Sequence, residues 1–174
     1  MSIYTKKGDK GITSTVSGDR ISKSSCQTRS LGAIDELNSF LGVVISFSES
    51  REVKNLLEKV QTNLLSLGSI LGGSDLKFSK SKTTQLENHI DKWEKQLPKL
   101  TNFVHPGGSK SASLLQYSRA LARKAEREIV GLGEEQKITP QMLMYLNRLS
   151  DYLFTLARVE NCARGVEDEI WKRD

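Results

Sequence analysis

The stretch Thr139-Pro-Gln-Met142-Leu143-Met-Tyr145-Leu146-Asn147-Arg-Leu149-Ser-Asp151-Tyr-Leu153-Phe154-Thr-Leu156-Ala157 decides the fold. Met142, Leu146, Leu149, Leu153 and Leu156 recur at intervals of three and four, which places them on one face of an α-helix. Leu143, Phe154 and Ala157 fall on a second face. A helix that is apolar on two sides sits centrally in a bundle or is covered by another subunit. Thr139 as N-cap and Pro140 in the first turn mark its start, and the pattern predicts an end near Ala163.

The same period recurs upstream. Leu31, Ile34, Leu37, Leu41 and Val44 predict a helix from about Cys26 to Phe47. Val53, Leu56, Leu57, Val60, Leu64, Leu67, Ile70 and Leu71 predict a second, stopped at Gly72-Gly73. Ser74 to Ser81 reads as a polar, lysine-bearing and mobile connector. A third helix is expected to begin near Thr83 or Thr84, with Glu87 placed for a capping box, and to end at Pro98. Beyond the Pro106-Gly-Gly-Ser109 turn a fourth spans Ser111 to about Val130, closed by Gly131 and Gly133. Residues 1–24 are rich in Gly, Ser, Thr and Lys and show no sustained periodicity. No strand and no internal repeat is apparent. The fold class is therefore all-α: a single domain of five antiparallel helices over residues 25–174, preceded by a flexible N-terminal segment, 1–24.

At 174 residues the chain is long enough for a proper core, and 27% charged and 6% aromatic residues are ordinary for a soluble protein. The longest apolar runs fall short of the roughly 18 residues a membrane span needs. The N-terminus lacks the apolar centre of a signal peptide, so a cytoplasmic protein without membrane association is expected. Cys26 and Cys162 stand far apart with no CxxC spacing and read as reduced thiols. Neither His89 nor His105 lies three residues after a glutamate, which excludes the Glu-x-x-His of di-iron bundles. No zinc spacing and no compelling Ser-His-Asp or Cys-His arrangement exists. So few acid–base groups leave positioning and electrostatics as the means of any catalysis.

Net charge is +5, which favours an anionic partner, either nucleic acid or a phosphorylated small molecule. The interleaved aromatics and reading motifs of nucleic-acid binders are missing. The lysines are spread along the chain, but in Arg119-Ala-Leu-Ala-Arg123-Lys-Ala-Glu-Arg127 residues four apart stack guanidinium groups along one helical line. Such a stripe is either a solvated face, partly neutralised by Glu126 and Glu128, or a seat for phosphate or carboxylate. The N-terminal run Thr5-Lys6-Lys-Gly8-Asp9-Lys-Gly11-Ile-Thr13-Ser14 pairs glycines, which let backbone amides close on phosphate oxygens, with hydroxyls and lysines. It lacks P-loop spacing, and a plain tail has the same composition. Asp35 and Glu36 diverge by about 100° on a helix and cannot form an acid–base pair. Asp35 is a surface acid or the partner of an arginine from another helix. Asn147, between Leu143 and Phe154, is a bundle hydrogen-bonder or a ligand contact.

Several blocks taken in order resemble the PduO-type ATP:cob(I)alamin (corrinoid) adenosyltransferases. They are Tyr4-Thr-Lys-x-Gly8-Asp-Lys-Gly11, Gly32-Ala-Ile-Asp35-Glu-Leu-Asn38-Ser and Leu86-Glu-x-x-Ile90-Asp. Leu97-Pro-x-Leu100 with Phe103-Val-x-Pro106-Gly-Gly-Ser109, Arg119-x-x-x-Arg123-x-Ala-Glu-Arg127 and Tyr145-Leu-Asn147-Arg-Leu-Ser-Asp151-Tyr-Leu-Phe154 complete the set.

The resemblance implies transfer of the 5′-deoxyadenosyl group of ATP to the cobalt of a reduced corrinoid, with release of triphosphate. The implied assembly is a homotrimer with active sites between subunits. Residues 1–24 would then be a nucleotide-binding loop that orders around Mg-ATP through Thr5, Lys6, Gly8, Asp9, Gly11, Ser14 and Lys23. Arg123 would hold phosphates, and Glu126 and Asn147 would line the nucleotide site. Arg119 would pair with Asp35 of a neighbouring copy on the corrinoid side. Phe103 would displace the lower axial ligand of cobalamin, bringing reduction of the cobalt within reach of a biological donor. A corrinoid reductase or a B12-dependent mutase would be a transient partner; no metal ligand is identified. Lys7, Ile12, Thr15 and Ser17 stand where the family usually has Thr, Thr, Leu and Gly. These departures cluster in the nucleotide loop and leave a second reading, a catalytically weak paralogue that carries or senses corrinoid.

Overall fold

The computed structural model describes residues 3–172; residues 1–2 and 173–174, the outermost parts of the two expected segments, lie outside it. Five helices account for most of the chain: α1 (Cys26–Phe47), α2 (Arg51–Leu71), α3 (Ser81–Glu94), α4 (Lys110–Leu132) and α5 (Pro140–Ala163). Four of the five starts have a local cause. Ser25, Ser50 and Ser109 sit in extended conformation before α1, α2 and α4, and their side chains accept from the amides of Thr28, Val53 and Ala112. Pro140 opens α5, where its missing N–H costs nothing.

α1 lies between α2 and α4, and α5 between α4 and α3. Leu37, Leu41, Leu57, Leu64, Leu67, Leu115, Ile129, Leu146 and Leu153 are fully enclosed at the centre. As its two apolar faces foretold, α5 is the most completely covered helix: Met142, Tyr145, Leu149, Tyr152, Leu156 and Ala157 are all buried. Asn63 of α2 donates to the Tyr145 hydroxyl at 3.1 Å and links α2 to α5. Burial pushes the Tyr145 and Tyr152 phenols above their ordinary range, so both stay neutral.

The structure departs from the sequence reading in four places. A small antiparallel hairpin exists, β1 (Ile12–Ser14) and β2 (Arg20–Ser22), with Thr13 opposite Ile21. Strands of three residues are too short to show an alternating pattern. α3 starts at Ser81 with no side-chain cap: the Thr84–Glu87 capping box does not form, and Glu87 reaches across to Arg148 of α5 at 3.3 Å. Thr139 precedes α5 without capping it through its side chain. The 74–81 connector is anchored, because Phe78 is buried edge-on against Tyr145. In addition, α1 is long and apolar enough by composition to cross a membrane, although its uninterrupted apolar runs are short. Here it packs Ala33, Ile34, Leu37, Leu41 and Val44 into the bundle.

Candidate active site

Arg119, Arg123 and Arg127 lie on α4 away from the core, whose α4 contacts are Leu121, Ala122, Ala125 and Ile129. The carboxylates next to them in sequence are committed elsewhere. Glu126 accepts from Asn147 Nδ2 at 2.9 Å, and Glu128 faces Arg29 at 3.6 Å. Lys124 takes Glu36 at 2.5 Å. Arg119 donates only to the neutral Gln116 at 3.0 Å, and among the described residues neither Arg123 nor Arg127 has an ion pair. Burial, and then the neighbouring Arg123 charge, pull the Arg119 guanidinium below its ordinary value. The stripe is thus a line of cations lacking counter-charge, which an anion would relieve.

The N-terminal loop folds back on itself. The Asp9 amide donates to Lys6 O at 3.4 Å and the Gly11 amide to Gly8 O at 3.2 Å, making two successive turns. Lys6 and Gly11 both have positive φ, 58° and 74°, the left-handed backbone form that tight reversals use. The Lys23 amide donates to Gly11 O at 2.9 Å, and its ammonium lies so close over Gly8 that a Cβ there would meet it at 3.1 Å. Gly8, Gly11 and Lys23 are therefore gathered at the hairpin's open end, whereas Ser14, opposite Arg20, lies at its turn end; Thr5, Asp9 and Ser14 are exposed. Within one chain this loop and the α4 stripe are separate. The hairpin seats on the end of α2, where Val16 N donates to Gly72 O at 2.8 Å.

Asp35 is exposed and makes no ion pair among the described residues. It lines a groove of about 330 Å³ with Ile34, Asn38, Leu64, Leu65 and Gly68, on the α2 side of α1. Its neighbour Glu36 is the one that faces α4. Asp35 and Arg119 are not brought together inside the chain.

Phe103 is 80% exposed at the tip of the loop between α3 and α4. The loop is pinned at three points that sequence reading missed. Arg158, buried on α5, donates to Asp168 Oδ2 at 2.6 Å and to Pro98 O at 2.7 Å. Asn161 accepts from Ser109 N at 2.9 Å and donates to Gly107 O at 3.1 Å. The C-terminal segment adds a strand-like bridge, with Trp171 N donating to Phe103 O and His105 N to Glu169 O, both at 2.8 Å. Trp171 meets Phe103 edge-on at 6.4 Å. The two aromatics with Leu100, Thr101 and Asn102 border an open apolar hollow of about 520 Å³. A sequence signal existed in Gly107-Gly108: Gly108 has φ 102° and no room for a Cβ beside Asn161, so a close neighbour was implied.

Comparison with known proteins bears on the family and the fold. Residues 3–160 match the family model described as cobalamin adenosyltransferase. A corrinoid adenosyltransferase of Bacillus subtilis is 40% identical, with 99% of this chain and 93% of that protein covered. The corrinoid adenosyltransferase MMAB of Bos taurus is 39% identical, covering 99% and 76% respectively. A variant of the PduO-type ATP:corrinoid adenosyltransferase from Lactobacillus reuteri, solved with cobalamin and ATP, superposes with a TM-score of 0.96 at 34% identity, over 99% of this chain and 97% of that one. From its bundle, its arginine stripe and these likenesses together, the chain belongs to the cobalamin adenosyltransferase family.

Proposed function

We propose that this protein transfers the 5′-deoxyadenosyl group of ATP to the cobalt of cob(I)alamin. A cobalt–carbon bond to C5′ forms, the C5′–O bond breaks, and triphosphate leaves with the bonding pair; cobalt passes from the +1 to the +3 state. Cobalt is the nucleophile, which is why the chain needs no activated serine, cysteine or histidine. The observation that carries the reading is the stripe Arg119, Arg123 and Arg127, whose neighbouring carboxylates are all engaged by other groups. Triphosphate is an anion of matching shape, and charge held ready for a leaving group lowers the barrier without reorganisation.

The chain's own residues divide the work. Lys6, Gly8, Asp9, Gly11, Ser14 and Lys23, with Thr5, wrap the nucleotide. Arg123 holds its phosphates, and the Glu126–Asn147 pair orients it. Mg²⁺ would be held mainly by the phosphates, in keeping with the ion's retention of water and its need for few carboxylates. Phe103 takes the lower face of the corrin, supported from behind by Trp171, and keeps the lower ligand off the cobalt. Arg119 pairs with Asp35 of a neighbouring copy. Asp35 and Arg119 lie on different sides of one chain, which supports a site between subunits; a homotrimer belongs to the same proposal. Action in the cytoplasm, with electrons from a corrinoid reductase, belongs to the same proposal.

A carrier or sensor of corrinoid is the second reading, favoured by the unusual Ile12, Thr15 and Ser17 in the nucleotide loop. Incubating the purified protein with Mg-ATP and chemically reduced cob(I)alamin, while following the absorbance of adenosylcobalamin, separates the two. Turnover establishes the transferase. Intact protein that binds corrinoid without turnover establishes the carrier.

A further inference from the structure

The tip of the β1–β2 hairpin sits in a notch that only glycine allows. The amides of Val16 and Ser17 both donate to the carbonyl of Gly72, the C-cap of α2, at 2.8 and 3.3 Å. Gly73 follows at φ 94°, and a Cβ there would fall 2.6 Å from Ser17 Oγ. A Cβ on Gly72 would meet Val16 Cγ2 at 3.0 Å. Inside the tip, Ser17 Oγ donates to Asp19 Oδ2 at 2.7 Å and contacts Thr15 Oγ1 at 2.8 Å, while Asp19 N donates to Thr15 Oγ1 at 3.0 Å. Thr15 and Ser17 are therefore the residues that close the turn.

The opposite end of the hairpin is fastened independently. Lys23 N bonds Gly11 O, and Thr28 Oγ1 of α1 donates to Ser22 O at 2.8 Å. Gln27 of α1 donates to Leu71 O at 2.7 Å, on the same terminal turn of α2 that receives the tip. The strands between these fastenings are three residues each, about 10 Å long. A lever that short and doubly held transmits a shift at its tip directly to Thr13, Ser14 and the turns at Gly8–Gly11.

We propose that the Gly72–Gly73 notch and the Val16–Ser17 tip are the anchor that positions the nucleotide loop, with Gly73 and Ser17 as positioning residues for ATP. The inference rests on the reading that residues 5–14 hold the nucleotide. It gives Thr15 and Ser17 a structural task, closing the turn that seats the nucleotide loop on the end of α2.

The test uses the full chain with Gly73→Ala, whose methyl would strike Ser17, and Ser17→Gly, which removes the hydroxyl that closes the turn. ATP affinity is measured by calorimetry without corrinoid, KM for ATP and for cob(I)alamin by the adenosylation assay, and folding by thermal melting. Gly73→Ala is expected to weaken ATP binding and raise its KM by about tenfold, leaving the cob(I)alamin KM within about twofold, and Ser17→Gly to shift both in the same direction by a smaller factor. A folded Gly73→Ala protein with unchanged ATP affinity overturns the proposal. So does an equal loss for both substrates, or a Ser17→Gly protein with unchanged ATP affinity. Should Gly73→Ala fail to fold, Gly72→Ala, whose methyl would meet Val16 Cγ2 at 3.0 Å, carries the same expectation. Wild-type protein that binds ATP without turnover would refute the transferase reading alone, since the calorimetric comparison still decides the anchor.

Discussion

Replacing Arg158 by Met keeps the apolar stem and removes the guanidinium that ties α5 to both Asp168 and Pro98 O. The side chain is 7% exposed and Asp168 19%, so solvent screening is slight and the loss leaves a largely buried carboxylate and a carbonyl without their donor. Breaking such a pair from one side costs about 3–5 kcal/mol. Two charge-assisted hydrogen bonds at about 1.5–3 kcal/mol each give the same range. The cost falls locally, on the 166–171 segment and its bridge to 103–105, because the rest of α5 is held by its own core contacts. At about 1.4 kcal/mol per decade, the amides of His105 and Trp171 should exchange hydrogen roughly a hundred- to a few-thousandfold faster, while core amides such as Leu146 keep their protection. Asp168→Asn, which retains an acceptor, should produce a smaller change. Exchange at His105 and Trp171 within about tenfold of wild type would show that Arg158 does not hold the segment, and would remove the argument that Trp171 supports Phe103.

Phe103→Ala should slow adenosylation that starts from cob(II)alamin more than transfer to chemically reduced cob(I)alamin; equal losses in the two assays would contradict its place under the corrin. Arg123→Ala should raise the ATP KM or lower kcat by about ten- to a hundredfold with unchanged melting, since the stripe gives nothing to the isolated fold; dissociation of the assembly with normal kcat would make the residue structural. Gly108→Ala should destabilise the loop by about 1–3 kcal/mol, because it needs a left-handed backbone and space occupied by Asn161, and Asn161→Ala in the same chain should relieve part of it in chemical denaturation. Burial, then Lys59 and Lys92, hold His89 below its ordinary 6.5, with Glu52 opposing. A depressed histidine resists protonation in the folded state only, so its contribution is complete above about pH 6.5 and is lost as pH falls through the lower folded value. The Tm of His89→Gln should therefore fall less steeply between about pH 7 and 5 than that of the wild type.

The helices were legible because their apolar residues carry a long, redundant signal. The limits of α1 and α5, Cys26–Phe47 and Pro140–Ala163, coincide with what periodicity predicted. What failed was short or non-local. The capping box at Thr84 and Glu87 satisfies a local rule, but Arg148 on another helix competes for the carboxylate. The hairpin depends on a notch at the end of α2, about fifty residues away. At the candidate site, Phe103 came only through the family resemblance, whereas Arg119, Arg123 and Asn147 stood out as polar positions in an apolar pattern. Arg158, Asn161 and Asp168 did not, because a buried cation at a helix's end looks in sequence like any surface charge. The un-neutralised state of the stripe was also beyond sequence: Glu126 and Glu128 sit beside it in the chain and point elsewhere in space.

The placement of α1 also governs the order in which the molecule can be assembled. Its apolar face is covered partly by α2, which follows at once, and partly by α4, which lies some eighty residues further on. As the chain emerges, α1 and α2 can form a helical hairpin early, yet the face of α1 that meets α4, with Ser30 against Glu128 O and Phe40 against Tyr117, stays wet until α4 has been made. During that interval the most apolar helix of the protein is its least protected one. Aggregation and chaperone capture should therefore be competing with the arrival of α4, and variants that weaken the α1–α4 seam should lose yield before they lose activity.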